Sequence, residues 1–89
     1  MEATDYTAPT VNLNGTDGKA LIEQQVAIMD AAQRLIDVLH DACPHGRDYQ
    51  ISKPGDYEKA RKEWTEMYQA AVWIHYYALE IGNKIVAQS

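Results

Sequence analysis

The chain has 89 residues with a single cysteine, and 13 acidic against 8 basic side chains give it a net charge of −5. That length allows one small domain, the lone cysteine excludes an intrachain disulfide, and the acidic balance excludes bulk phosphate-neutralising binding of nucleic acid. No stretch approaches the roughly 18 apolar residues that span a bilayer. The opening "MEATDYTAPT" has neither the basic nor the apolar region of a signal peptide. One free cysteine suits a reducing compartment, so a cytoplasmic protein is expected, with no membrane contact.

Residues 1–15 read as an extended or disordered arm, because Thr, Asn, Pro and Gly are mixed there with isolated Tyr6, Val11 and Leu13 and no helical period. The alternation Val11-Asn12-Leu13-Asn14 fits a short extended segment laid on a neighbour. Residues 16–89 read as a helical hairpin with helices over about 17–43 and 56–87. The first should start at Thr16–Asp17, where a side-chain oxygen can take an orphan amide of the first turn. Pro44 and Gly46 should end it, with glycine supplying a left-handed exit.

The apolar pattern of the first helix is wide. One stripe is Leu21, Gln25, Ile28, Ala32, Leu35, Leu39 and Ala42; beside it runs Ile22, Val26, Met29, Gln33, Ile36, His40 and Cys43. In the second helix, Asp56 is the expected N-cap and Pro54-Gly55 the turn before it. Its seam stripe is Tyr57, Ala60, Trp64, Met67, Ala71, Ile74, Ala78, Ile81 and Ile85, with a second stripe of Tyr68, Val72, His75, Leu79, Gly82 and Val86. Trp73, Tyr76 and Tyr77 lie beyond both. Two long amphipathic helices joined by a loop pack antiparallel, yet neither can cover two stripes alone. The hairpin is therefore expected to self-associate into a helical bundle, as a dimer or higher homo-oligomer. Trp73, Tyr76, Tyr77, Ile22, Val26 and Ile36 are the expected oligomer interface.

Chemistry-bearing residues cluster in "CPHGRDY", residues 43–49. His40, Asp41, Cys43 and His45 are close in sequence, but nothing supplies the remaining ligands of a four-coordinate zinc, so no metal is expected. A Cys43–His pair lacks an orienting group and an oxyanion device, so no catalytic residue, no cofactor and no enzymatic activity are expected. A loop that only stops a helix needs Pro, Gly and generic polar residues. Arg and Tyr are costly to order and enriched where surfaces bind. His45, Arg47, Asp48 and Tyr49 are therefore the expected partner or ligand contact, the alternative being a clasp in which Arg47 caps the first helix and Tyr49 packs on the second.

"LNGTDGKALIEQ" (13–24), the Ala-rich helix after it and "ACPHGRDYQ" (42–50) resemble a group of small helical proteins of tailed phages, largely without an assigned activity. Cys43 before Pro44, Gln50 in an aromatic position and the aromatic run 70–79 depart from that pattern. Cys43-Pro44-His45-Gly46-Arg47 with Trp73 is also similar, more loosely, to the helical-hairpin anti-defence sponges of phages. These resemblances imply a non-enzymatic phage accessory protein of anti-defence type in the host cytoplasm. It would mask a host protein or sequester a small anionic signal such as a cyclic nucleotide. The alternative is a structural virion or assembly component built from hairpins.

Overall fold

A computed structural model describes residues 6–88 of the chain. Two helices, α1 (Gly18–Asp41) and α2 (Asp56–Val86), pack along their lengths as an antiparallel hairpin, joined through a 3-10 turn at Gly46–Tyr49. The molecule measures 61 × 23 × 17 Å, and no strand occurs among the described residues.

The helix ends follow local chemistry. Asp17 holds extended geometry and its Oδ1 accepts the amide of Ala20 at 2.9 Å, the capping expected at Thr16–Asp17. At the other end α1 stops at Asp41, two residues earlier than expected. The Ala42 amide closes onto the Val38 and Leu39 carbonyls and the Cys43 amide onto His40. Pro44 disfavours helical backbone at Cys43. Gly46 supplies no left-handed exit; it opens the 3-10 turn, and the one positive φ among the described residues is +90° at Gly55. Gly55, not Asp56, is the N-cap of α2. Asp56 instead folds its carboxylate back onto the Lys53 amide at 3.2 Å, tightening the Pro54-Gly55 turn.

The seam draws on both predicted stripes of α1. Ile22, Gln25, Met29, Ala32, Ile36, Leu39 and Cys43 are buried or half-buried, at the 3-4 spacing of a helix–helix contact. On α2 the buried residues are Ala71, Ala78, Ile81 and Ile85. Tyr57, Ala60 and Trp64 are half-buried as the predicted seam requires, whereas Met67 and Ile74 stand exposed at its edge. The fully buried set on both helices is three alanines and two isoleucines. Alanine lets the backbones approach closely but buries little area of its own, so the core of one hairpin is small.

One polar group interrupts that seam. Gln25 packs against Gly82, and its Oε1 is buried with no hydrogen-bond partner among the described residues. An unsatisfied buried acceptor costs about 1–3 kcal/mol. Gln25→Met keeps the length of the side chain and removes that group. The expected outcome is stabilisation by about 1–2 kcal/mol in chemical denaturation; a variant less stable than the parent would mean that Oε1 is bonded in solution.

Candidate functional site

Three features distinguish the surface: the loop end of the hairpin, an aromatic groove on α2, and the arm that crosses α2 beside it.

At the loop end the structure separates the residues predicted to act together. Tyr49 is half-buried, its ring 5.9 Å from that of Tyr57 in the first turn of α2. Tyr57 in turn accepts a hydrogen bond from the Arg61 guanidinium at 3.3 Å. That bond, then the nearby phenol and the Cys43 thiol, hold the Arg61 pKa above its ordinary value. His45, Arg47 and Asp48 are exposed, and backbone amides rather than Arg47 close the end of α1. Tyr49 therefore takes the packing role and Arg47 keeps the open position. The His40 Nδ1 lies 3.8 Å from the Asp41 carboxylate, between side chains 78% and 89% exposed, a contact worth little in water. No group of three or more potential metal ligands occurs among the described residues.

Two single variants follow from that separation. Tyr49→Ala should lower the melting temperature by several degrees, because it removes an aromatic pair worth about 0.5–1.5 kcal/mol beyond its area. Arg47→Ala should leave melting unchanged. Equal losses in both variants would return Arg47 to the clasp.

The groove lies midway along α2. Thr65, Tyr68, Gln69, Val72, Trp73 and Tyr76 line an open depression of about 490 Å³. Their spacing puts them on one helix face, and no cationic side chain is among them. Trp64 stacks on Tyr68 at 5.1 Å, which steadies the wall nearest the loop end. Val72, Tyr76, Leu79 and Val86 continue the same flank toward the end of α2, each more than a third exposed.

The arm covers the opposite flank. Tyr6 sits against Trp73 (centroids 6.3 Å apart, edge-on) and Tyr77 (4.8 Å). Its hydroxyl accepts the Trp73 indole N–H at 2.8 Å, and its carbonyl accepts the Lys84 ammonium. Gln88 clamps the backbone beyond, accepting from the Val11 amide at 2.9 Å and donating to the Pro9 carbonyl at 2.8 Å. The extended segment expected at Val11–Asn14 is a turn instead. The Asn12 side chain takes the Asn14 amide, the Gly15 amide closes onto the Asn12 carbonyl, and Leu13 points to solvent. Residues 1–5 of the predicted arm lie outside the described residues.

Of the six residues expected at an oligomer interface, the structure brings Trp73 and Tyr77 under the chain's own arm, and sets Ile22 and Ile36 half-buried along the seam. Val26 and Tyr76 remain exposed, at 48% and 43%. The arm contact could be suspected from Tyr6 alone, since an isolated aromatic in a polar segment seeks an apolar site; the Gln88 clamp had no sequence signal. No helix among the described residues is long and apolar enough to cross a membrane. The chain matches no protein-family model, no curated protein and no solved structure.

Proposed function

We propose that this chain is a non-enzymatic binding protein, a phage accessory of the anti-defence kind, which acts in the host cytoplasm by masking a host protein. The α2 groove and the exposed loop residues His45, Arg47 and Asp48 form its contact surface, and the hairpin works as a homo-oligomer. The observation that carries this reading is the groove itself: aromatic, open and continuous with the exposed Val72–Val86 flank. Apolar surface rimmed by Tyr and Trp is the composition of protein interfaces and their hot spots. The same lining argues against sequestering an anionic nucleotide, whose phosphates would meet no cation there. The exposed apolar residues on both helices favour a second reading, a structural assembly component, since a packing unit needs such faces.

The test pairs Val72→Asp with Tyr76→Ala in the full chain. The expected result is loss of the host protein that co-purifies with the parent, with helical content unchanged and no gain in melting temperature on adding cyclic nucleotides. A gain of several degrees with a nucleotide would replace masking by sequestration, since a ligand of the folded state raises the midpoint. Stoichiometric presence of the chain in purified particles would replace it by the structural reading.

A further inference from the structure

The seam leaves one flank of α1 unpartnered. Leu21, Gln24, Ile28, Ala31, Leu35, Val38 and Ala42 follow one another at unbroken 4-3 spacing for three heptads, the pattern of a helix–helix seam. Gln24 is its only polar member. Ile28, Leu35 and Val38 are 42%, 45% and 63% exposed, although side chains of this kind normally cover a core. By the helix period, Met67 and Ile74 stand on the same side of the hairpin and extend the patch across α2. The arm runs along this same side of the hairpin, over Trp73 and the end of α2, with Val11 against Gly18 at the start of α1, and beyond it Ile28, Leu35 and Val38 stay exposed.

We propose that a second copy of this chain covers this flank, α1 packing antiparallel on α1 about a two-fold axis at the helix midpoint, to form a four-helix bundle. The inference rests on the homo-oligomer in the functional reading and adds the face, the direction and the register. Three observations support a second copy as the occupant.

The first is area. The chain exposes 6648 Å². A compact monomer of its 10.0 kDa mass exposes about 5,200 Å². The surplus, about 1,400 Å² over the whole chain, reflects a rod 61 Å long and 17–23 Å across, a shape that packing side by side with a second rod would make compact.

The second is self-complementarity. An antiparallel seam pairs alternate positions of its two helices. Here the pairing sets Ile28 against Ala31 of the second copy, Leu21 against Val38 and Leu35 against Gln24, so that Ile28 meets the smallest side chain of the stripe. The same register aligns Gly18 with Asp41 of the second copy, the full length of the helix. The register that matches side chains is thus also the one that buries the most surface.

The third is charge. Arg34, the only Lys or Arg in α1 after Lys19, falls within one turn of Glu23 of the second copy on the outer margin of the contact. The other flank of the seam offers no such match, since Gln33, His40, His75 and Asn83 interrupt it.

The experiment has two arms, both with the full chain. In sedimentation at roughly 10 µM, where interfaces of standard size are commonly closed, the parent should be a dimer. Ile28→Glu with Leu35→Glu should weaken that dimer by about 100-fold or more, because two carboxylates would be buried unpaired. Val72→Glu with Leu79→Glu on the other flank should leave it intact. The second arm uses substitutions that keep the fold, in a Cys43→Ala background. Mixing the Ile28→Cys and Ala31→Cys chains should give a disulfide between the two different chains, as facing positions of an antiparallel pair permit. A disulfide within each variant alone would show parallel packing and overturn the register. A dimer broken by the Val72/Leu79 pair and not by the Ile28/Leu35 pair would overturn the face while sparing self-association. A monomeric parent would overturn both this inference and the homo-oligomer, and would leave the masking of a host protein to its own test.

Discussion

Ile85→Ala should be among the most damaging single truncations in the chain, with a loss of about 2–4 kcal/mol. Ile85 is 1% exposed and is the largest side chain that the hairpin buries completely. Its neighbours in the core are alanines and one further isoleucine, so little volume is at hand to fill the cavity. The loss should also spread. Ile85 stands one turn before Gln88, whose side chain holds the arm at Pro9 and Val11. Fraying of α2 from Ile85 onward would release both bonds. At about 4–8 °C per kcal/mol for a domain of this size, the melting temperature should fall by roughly 10–25 °C. Hydrogen exchange at the Val11 amide should accelerate with it. Leu13→Ala is the control, since Leu13 is fully exposed and its truncation should change neither reading. A loss below about 1 kcal/mol at Ile85 would mean that α2 closes over the gap, a core looser than the one described.

Trp64 should show the second large effect, and its two variants separate packing from hydrogen bonding. The indole N–H donates to the Leu39 carbonyl at 2.7 Å, and the ring stacks on Tyr68. Leu39 lies in the last turn of α1, where its carbonyl also takes the Ala42 amide, so the indole adds a second bond, this one between the helices. Trp64 therefore ties the end of one helix to the body of the other, twenty-five residues apart in sequence. Trp64→Phe removes the donor and keeps most of the ring, so a loss of about 1 kcal/mol is expected. Trp64→Ala removes both, and about 3 kcal/mol is expected, the low end for a tryptophan because the ring is only half-buried. Equal losses in the two variants would place all of the effect in the hydrogen bond.

Much of the fold is legible in residue order. The 3-4 spacing of apolar residues in 18–41 and 56–86, with Asp17 before the first and Pro54-Gly55 before the second, suffices for two helices and the connection between them. Pro44, Gly46, Pro54 and Gly55 turn that connection, and two long apolar-faced helices joined by a turning loop pack antiparallel. The candidate site was less legible. The cluster His45-Gly46-Arg47-Asp48-Tyr49 could be recognised as unusual, but which members face solvent depends on the 3-10 turn, which rolls Tyr49 onto Tyr57 and leaves Arg47 open. Trp73 and Tyr77 read as interface residues because an aromatic helix flank needs a cover. Sequence periodicity cannot say that the cover is Tyr6 of the same chain, since that contact spans 67 residues.

Helix identity, helix number and hairpin topology were set by local chemistry, because capping, proline geometry and apolar period each act within a few residues. The choice of seam was not. Two adjacent apolar stripes on α1 are equally good candidates on periodicity, and the hairpin takes a line between them, with Gln25, Ala32 and Leu39 from one and Ile22, Met29, Ile36 and Cys43 from the other. The facing alanines Ala71 and Ala78 account for that outcome: close approach is available where both helices are small, and the rotation that brings Ala32 into the contact turns Ile28 and Leu35 outward. Packing of one helix against the other, a property of the pair and not of either segment, therefore decided which apolar residues became core and which were left on the surface to bind.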